Sequence, residues 1–433
     1  MTPEIKILVV DDNEEKRSRV TAILYEKLAP RRVYVGEAAN YEEALSALQQ
    51  RFFDLVVLDL LLPAAGQPPS EITSRALISL ILQGRLLPPM HIIGLTEFPE
   101  AKEKERQFYD ENLFALEHYA HGDVGWADRI IGKVKYLMRS KNAAIQFQNN
   151  SYDLDVFVLA ARYENEYLPV RRKLFSRVES ERHPIWGGSI ALGSIKRRDR
   201  RSLDAGLACV GEMGMAPTAA VAAQAITVFR PRLIAMLGMC CGFATAGCSS
   251  PRKLMDAIIV RQVACWEEGK YVEQTESGSE FRNRSKTRMV DDLIRDEVEA
   301  VVERSSETIT PPLKKFAQQR EYEGIRKHFG AAVRDVPDVR FGTLVSGSSV
   351  IADEAAVGEI LQRHPAAIGL DMEIFGLYTA ADRCLGQRPS VLGIKGVADF
   401  GHAAKDDFAQ KGASIVSAEV FKSVLANLRI FDV

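Results

Sequence analysis

Three features that define other classes of protein are missing from this sequence. No run of about 18 uninterrupted apolar residues occurs, which is the length that a membrane-spanning helix needs. The N-terminus, MTPEIKILVVDD, lacks the basic segment and the small-residue cleavage site of a secretory signal peptide. The 56 Lys and Arg residues nearly balance the 58 Asp and Glu residues, so no overall positive charge attracts nucleic acid. We therefore expect a protein that binds neither nucleic acid nor a membrane.

Cysteine is sparse and scattered, which excludes two further classes. The six residues form no C-x-x-C pair and have no His at the spacing of a zinc site; they are Cys209, Cys240, Cys241, Cys248, Cys265 and Cys384. Neither a disulfide framework nor a structural zinc site is indicated. This usage predicts a location in the reducing cytoplasm.

The 433 residues leave room for two or three domains of about 150 residues each. Short continuous apolar runs, IKILVV, DLVVL and HIIGL, alternate with helical patterns over the first part of the chain. This alternation predicts a parallel sheet with a site at the carboxyl ends of its strands. We expect this first domain, residues 1–139, to end with a basic helix over 127–139. A polar stretch, residues 140–152, is predicted to be a linker to a second α/β domain over 153–433.

Acidic residues follow the predicted strands of the first domain. Asp11 and Asp12 come directly after the first apolar run, Asp59 ends the second, and Thr96 ends the third. Because the carboxyl ends of adjacent parallel strands converge, three carboxylates are expected in one pocket with a hydroxyl beside them. Such crowding is tolerated chiefly when a divalent cation is bound, and Mg²⁺ prefers this oxygen-only set of ligands.

These residues, taken in order, resemble the receiver domains of two-component response regulators. The resemblance implies a flavodoxin-like fold with a five-stranded parallel sheet. It implies that Asp59 is phosphorylated by a cognate histidine kinase or phosphotransfer protein. It also implies that Asp11, Asp12 and Asp59 hold Mg²⁺ and that Thr96 senses the phosphoryl group.

One departure from the receiver pattern concerns the fifth strand. Receivers carry a Lys-Pro pair at its end, whereas this chain has no Lys between Lys104 and Lys133. The corresponding positions hold Glu117, His118 and Tyr119. A receiver that no longer accepts a phosphoryl group, and that acts only in dimerisation or docking, is therefore the alternative interpretation.

The second domain contains segments in which small or acidic residues follow predicted strands. The run GMCCGF at Gly238–Phe243 would let backbone N–H groups approach an anion or a sugar closely. Met372 and Glu373 stand at a strand-to-helix junction, and Asp399 follows another apolar run. Together with SGSSVI at 346–351, these segments resemble the purine nucleoside phosphorylase and methylthioadenosine/adenosylhomocysteine nucleosidase superfamily. The resemblance implies an α/β domain with a central mixed sheet.

This second resemblance implies roles for individual residues. Asp399 is expected to protonate purine N7, Glu373 to bind the 2′- and 3′-hydroxyls of the ribose, and Met372 to pack against the sugar. Glu166 or Glu164 would activate the attacking water, and the sequence leaves that choice open. No cofactor is expected in this site. The other contacts to base and sugar are expected from Gly238, Cys240, Cys241, Gly242, Ser348, Ser349, Val350 and Ile351 and, for stacking on the base, Phe243 or Phe400.

Cations near the ribose 5′ carbon would distinguish two kinds of substrate. A methylthio group needs an apolar pocket, whereas a nucleotide needs cations for its phosphates. Two arginine clusters are candidates for holding a di- or triphosphate, and they contain Arg197, Arg198, Arg282 and Arg284. The alternative is that both clusters are solvated surface.

The pairing of a receiver with a nucleosidase resembles the effector of Detocs-type bacterial phage-defence systems, which cleaves ATP and dATP under phosphorelay control. We predict an enzyme that hydrolyses the N-glycosidic bond of a purine nucleotide, releasing adenine and (deoxy)ribose 5′-triphosphate. It is expected to act as a dimer or hexamer. One alternative is a methylthioadenosine-type nucleosidase or purine nucleoside phosphorylase under two-component control. Another is a non-catalytic regulator that senses nucleosides.

Overall fold

The computed structural model describes residues 4–29, 32–149, 151–175, 177–197, 201–243, 251–274, 278–401 and 406–432. The chain divides into two compact units, Met1–Gln148 and Asn149–Val433. Across the described ranges, no helix is both long and apolar enough to cross a membrane.

The first unit contains a five-stranded sheet in which every neighbouring pair is parallel, as the sequence predicts. The strand order is β2-β1-β3-β4-β5, which is the flavodoxin-like order. The strands are β1 (Ile5–Val10), β2 (Val33–Ala38), β3 (Leu55–Leu58), β4 (His91–Thr96) and β5 (Ala115–His118).

Helices cover both faces of this sheet because successive residues of a strand point to opposite sides. Ile7 and Val9 of β1 pack into one apolar core, and Leu8 and Val10 pack into the other. The helices are α1 (Glu14–Leu28), α2 (Tyr41–Gln50), α3 (Glu71–Leu82), α4 (Pro99–Glu111) and α5 (Gly125–Asn149).

The last helix extends into the predicted linker. The sequence predicts a linker over 140–152, and α5 continues into it as far as Asn149. The residues from Ser140 to Asn149 include neither Gly nor Pro, so nothing in them ends a helix. The polar composition of this stretch therefore belongs to an exposed helical segment rather than to a loop.

The second unit contains a ten-stranded mixed sheet among its described residues, confirming the predicted central mixed sheet. Strands run in the order β14-β11-β15-β16-β10-β6-β9-β8-β7, with β17 pairing with β10 and β11. The first six strands of this unit are β6 (Leu154–Ala160), β7 (Val178–Ser180), β8 (Ile190–Lys196), β9 (Ser202–Cys209), β10 (Pro231–Gly242) and β11 (Ala257–Cys265). Those that follow are β12 (Gly269–Gln274), β13 (Gly278–Asn283), β14 (Thr287–Met289), β15 (Val339–Ser346), β16 (Ala367–Asp371) and β17 (Ser390–Asp399).

A π-helical turn, Tyr163–Tyr167, follows β6, and the other helices of this unit surround the sheet. The longer ones are α6 (Leu168–Leu174), α7 (Met215–Phe229), α8 (Asp292–Glu303), α10 (Thr310–Ala317), α11 (Arg320–Phe329), α12 (Glu354–Arg363), α13 (Ile374–Asp382) and α14 (Gln410–Leu425). The short ones are α9 (Ser305–Thr308) and the 3₁₀ turns Gly330–Ala332, Asp407–Ala409 and Arg429–Phe431.

Three parallel strands bring the predicted segments of the second unit to one edge. β10 runs parallel to both β6 and β17, and β16 approaches antiparallel with Leu370 opposite Cys241. The pairing of β10 with β17 shifts register between Cys240 and Cys241. This irregularity ends the regular ladder where the segments after β6, β10, β16 and β17 meet.

Candidate functional site

A cavity of about 250 Å³ lies at this edge of the mixed sheet. It gathers residues from distant parts of the sequence, because the turn after β6 and the ends of β10, β16 and β17 all contribute. The predicted residues that line it are Glu166, Cys240, Cys241, Ser349, Val350, Ile351, Met372, Glu373 and Asp399.

Glu166 is buried in the cavity wall and tied to two strand ends. Its Oε2 accepts hydrogen bonds from the backbone N–H groups of Ala161 at 2.7 Å and Arg162 at 2.9 Å. Its Oε1 accepts one from the N–H of Met239 at 2.9 Å. Three backbone donors therefore fix the carboxylate without a direct side-chain partner, which suits a group that must be held in one orientation.

Gly238 makes room for that carboxylate. Its φ of 149° lies in a region that favours glycine, and a Cβ placed there would overlap Glu166 Oε1. Its N–H donates to Ser417 Oγ at 3.1 Å. The sequence predicts that Gly238 contacts the base or the sugar, but Gly238 does not line the cavity. It instead leaves the space in which the Glu166 carboxylate lies.

A buried lysine joins the carboxylates of the site. Lys395 Nζ, on β17, donates to Glu373 Oε2 at 3.0 Å and lies 3.4 Å from Asp371 Oδ2. Ser346 Oγ donates to Asp371 Oδ1 at 2.5 Å. Lys395 is fully buried and Asp371 and Glu373 nearly so. A buried charge of this kind is stable only when paired, so these residues form one charge cluster.

The charges of this cluster act on each other through a medium of low polarity. Burial alone would lower the pKa of Lys395, but Glu373, Asp371 and Glu166 together raise it above its usual range. Burial raises the pKa of Asp371 to about 6 despite the opposing charge of Lys395. Burial likewise raises the pKa of Glu166, with Lys395 opposing and Glu373 adding to the shift. The lysine is therefore charged at neutral pH and neutralises part of the acidic wall.

Asp399 stands on another part of the cavity wall, at the end of β17. Its Oδ1 accepts a hydrogen bond from the Gly401 N–H at 2.9 Å, which orients the carboxyl group. Ser349, Val350 and Ile351 line the cavity as well. The site therefore combines a half-buried carboxyl group, an apolar wall and a buried acidic cluster.

Several predicted residues lie elsewhere, for identifiable reasons. Glu164 is exposed and points away from this cavity, because the π-helical turn directs Glu166 inward instead. Phe243 is buried in an apolar cluster behind the cavity wall and does not line the cavity. Gly242 is packed against Val397. The predicted contact residues that do not line the cavity are Gly238, Gly242, Phe243, Ser348 and Phe400.

The described members of the predicted arginine clusters, Arg197, Arg282 and Arg284, do not line the cavity. Arg197 forms an ion pair with Asp432 at 2.8 Å, and its side chain is only 6% exposed. Arg282 lies on the β12–β13 hairpin and Arg284 directly follows it, where both are exposed. Arg198 falls outside the described residues. The structure therefore does not bring Arg197, Arg282 and Arg284 into the lining of this cavity.

Arg162 is the lining cation that the sequence analysis missed. It follows β6 and borders the cavity, and its Nη1 donates to Gln410 Oε1 at 3.4 Å. Asn165 Nδ2 also donates to that oxygen, at 2.7 Å. Over the part of the chain that the structure describes, no carboxylate pairs with Arg162. The guanidinium group therefore offers its charge to the cavity.

The first unit places its predicted residues together at one edge of its sheet. A carboxylate oxygen from each of Asp11, Asp12 and Asp59 lies within 4.8 Å of the others. Asp11 and Asp59 are buried, and Asp12 is exposed. Thr96 is buried at the end of β4, where its Oγ1 accepts a hydrogen bond from the Phe98 N–H at 3.2 Å. Carboxylate oxygens are the ligands that Mg²⁺ prefers.

A family model matches most of the second unit, and one known protein is similar to nearly the whole chain. The model of the phosphorylase superfamily matches residues 162–427. The uncharacterized protein y4jS of Sinorhizobium fredii is 24% identical over 440 residues, covering 96% of this chain and 97% of y4jS. The ATP nucleosidase Cap17 of Escherichia coli is 22% identical over 255 residues, covering 58% of this chain and 47% of Cap17.

One solved structure is similar to the part of the chain that forms the second unit. The 5′-methylthioadenosine/S-adenosylhomocysteine nucleosidase of Neisseria meningitidis is 17% identical, with a TM-score of 0.44. The match covers 64% of this chain and 100% of that one. The region matched by the superfamily model contains Glu166, Asp371, Glu373, Lys395 and Asp399, so it includes the whole charge cluster.

Proposed function

The chain belongs to the phosphorylase superfamily, and on that premise we propose that its second unit hydrolyses the N-glycosidic bond of a purine nucleotide. The observation that carries the proposal is a single cavity lined by Glu166, Glu373 and Asp399. Cleavage of this bond needs an acid for the departing base, a carboxylate for the sugar and a base for the water. The cavity offers one carboxyl group for each task.

The reaction assigns each group one step. Asp399 donates a proton to N7 of the purine as the bond between C1′ and N9 breaks, and the bonding electrons leave with the base. Glu373 accepts hydrogen bonds from the sugar hydroxyls, and its charge stabilises the positive charge that develops on the sugar. Glu166 takes a proton from the water whose oxygen bonds to C1′. Its raised pKa makes it a stronger base than an exposed glutamate.

Two features support hydrolysis over phosphorolysis. A buried carboxylate, Glu166, lines the cavity and would repel a phosphate anion. Among the described lining residues, Arg162 is the only cation at the cavity surface. In water enriched in ¹⁸O, a hydrolase gives a sugar labelled at C1′ without added phosphate. A phosphorylase gives no product without phosphate, which would contradict this proposal.

Arg162 and one relative support a nucleotide, rather than a nucleoside, as the substrate. Arg162 gives the cavity a cation, and Cap17, which matches over 58% of this chain, is named an ATP nucleosidase. We propose ATP or dATP as the substrate, with adenine and the (deoxy)ribose 5′-triphosphate as products. A methylthioadenosine-type substrate is the alternative, since Met213 and Met372 also line the cavity and would suit a thioether.

Replacing Arg162 separates these two substrates. We expect Arg162→Ala to lower kcat/KM for ATP roughly 10- to 100-fold, because a charge-assisted hydrogen bond to phosphate is lost. Turnover of adenosine should change much less. The exposed Arg172→Ala is the matched control, since Arg172 does not line this cavity. Equal losses for ATP and adenosine would show that Arg162 does not contact the phosphates.

Enlarging Gly238 tests the placement of Glu166. We expect Gly238→Ala to lower kcat about 100-fold, because the new methyl group displaces the Glu166 carboxylate from its backbone donors. Gly358→Ala is the control, since a Cβ at that position meets no atom within 4 Å. Initial rates of base release measure both variants. A Gly238→Ala variant with unchanged kcat would contradict the role of Glu166.

We further propose that the first unit controls this activity through phosphorylation of Asp59 by a histidine kinase or phosphotransfer protein. Support comes from the three converging carboxylates, and Asp11, Asp12 and Asp59 would hold Mg²⁺. When bound, Mg²⁺ would neutralise the charge of the incoming phosphoryl group. Thr96 would sense the phosphoryl group and change the surface through which copies of the chain associate in a homo-oligomer. We propose that the regulated enzyme acts in antiphage defence. Activation of an Asp59→Ala variant by a phosphoryl donor would contradict this control.

A further inference from the structure

A lysine from the first helix lies between two of the three carboxylates of the first unit. Lys16 Nζ lies 2.7 Å from Asp11 Oδ2 and 3.2 Å from Asp59 Oδ1. It also donates to the backbone carbonyl of Leu95 at 2.9 Å. The Lys16 side chain is only 2% exposed. Three oxygens therefore surround one buried ammonium group.

The sequence explains how α1 delivers this lysine. Asn13 begins the helix, and its side-chain oxygen accepts a hydrogen bond from the Lys16 N–H at 3.1 Å. Asp11 Oδ1 in turn accepts from the Asn13 N–H at 3.0 Å. The short turn after β1 and the first turn of α1 thereby place Lys16 beside Asp11 and Asp59.

The end of β5 offers no comparable group. His118 Nε2 contacts the backbone carbonyl of Glu97 at 3.2 Å. Glu117 forms an ion pair with Arg129 at 2.6 Å. In the described part of the unit, neither of these β5 side chains is paired with Asp59. The cation next to Asp59 therefore comes from α1.

We propose that Lys16, on α1, binds the phosphoryl group that Asp59 receives. In receiver domains a lysine at the end of β5 stands at this site, and β5 of this chain carries none. The inference rests on the proposed phosphorylation of Asp59. In the unmodified chain, Lys16 holds one oxygen of Asp59 and one of Asp11, which leaves the other Asp59 oxygen for reaction. After transfer, the same ammonium group donates to a phosphoryl oxygen, and charge-assisted bonds of this kind are strong.

The transfer step balances with acetyl phosphate as the donor. An Asp59 carboxylate oxygen attacks phosphorus, and a new O–P bond forms. The P–O bond to the acetyl oxygen breaks, and acetate leaves with the bonding electrons. Lys16 stabilises the negative charge on the phosphoryl oxygens during this exchange and neither gains nor loses a covalent bond.

The test follows phosphorylation of the full chain by mass spectrometry. Native protein, Lys16→Met and Lys16→Arg are treated with acetyl phosphate and Mg²⁺, and thermal unfolding establishes that each variant is folded. Lys27→Met is the control, because Lys27 lies on the same helix and pairs with Asp128 instead. We expect the labelling rate of Lys16→Met to fall roughly 10- to 100-fold. Lys27→Met should match the native protein.

The possible results distinguish a failure of the role of Lys16 from a failure of the phosphorylation of Asp59. Labelling of Lys16→Met at the native rate overturns the role of Lys16 and leaves the phosphorylation of Asp59 intact. A folded native chain that takes no phosphoryl group overturns both proposals. If Lys16→Met does not fold, Lys16→Arg decides, because it keeps the positive charge but replaces the compact ammonium group. A labelling rate at least tenfold below native supports the proposal, and a native rate overturns it.

Discussion

Asp399→Asn is expected to lower kcat for base release by roughly 10²- to 10⁴-fold, with little change in KM. An asparagine keeps the shape of the side chain, and its oxygen still accepts the hydrogen bond from the Gly401 N–H. The variant loses only the ability to give a proton to the purine. The loss therefore appears in the chemical step, which single-turnover measurements report directly.

A substrate without N7 provides the internal control for Asp399. On 7-deaza-ATP, which has a carbon in place of N7, the native protein and Asp399→Asn should be equally slow, because neither can protonate the base at that position. A native enzyme that cleaves 7-deaza-ATP at the normal rate would contradict protonation at N7. So would an Asp399→Asn variant with native activity on ATP.

Lys395→Met is expected to lower the free energy of unfolding by about 3–5 kcal/mol and to abolish activity. Methionine fills a similar volume, but it leaves Asp371 and Glu373 buried without their cation. Denaturant unfolding measures the change. The exposed Lys411→Met on α14 is the control and should unfold like the native protein.

The loss in Lys395→Met should depend on pH. Burial already raises the pKa of Asp371 to about 6 in the native protein, and removing the opposing charge of Lys395 raises it further. A carboxyl group with a higher pKa in the folded state binds protons preferentially there, so it favours folding more as pH falls through that pKa. The deficit should therefore be smaller at about pH 5 than at about pH 8. A deficit that does not change with pH would contradict the pairing of Lys395 with these carboxylates.

The sheets could be predicted because their strands are unusual in sequence. Strands buried on both faces, such as β1 and β3, are short continuous apolar runs that stand out between helical patterns. The end of α5 could not be predicted in the same way. Its last turns are largely exposed, so they lack the apolar periodicity that marks a packed helix.

The site was predictable where its segments occur in the order of the superfamily that the sequence resembles. Glu373 and Asp399 line the cavity, as the sequence suggests. The choice between Glu164 and Glu166 depends on a π-helical turn, where the Tyr167 N–H donates to the Arg162 carbonyl at 2.9 Å. A π-helical turn contains one residue more than an α-helical turn. No local pattern in the sequence predicts this extra residue.

The cations show what sequence reasoning missed and why. Lys395 interrupts the apolar strand SVLGIKGVAD, and a charge inside such a run signals a buried partner. That signal could have been used. Arg197, Arg282 and Arg284 do not line the cavity, and the partner of Arg197, Asp432, lies far away in sequence and meets it only through the fold. The useful cation, Arg162, is isolated in sequence and carries no such signal.

The most direct test of the account measures adenine released from adenosine, methylthioadenosine, AMP, ADP, ATP and dATP. Each substrate is incubated with the native protein, with and without acetyl phosphate and Mg²⁺, and Asp399→Asn serves as the inactive control. We expect adenine from ATP and dATP together with the corresponding sugar triphosphate, and more adenine with the phosphoryl donor than without it. Adenine from adenosine or methylthioadenosine alone, with none from ATP or dATP, would contradict it.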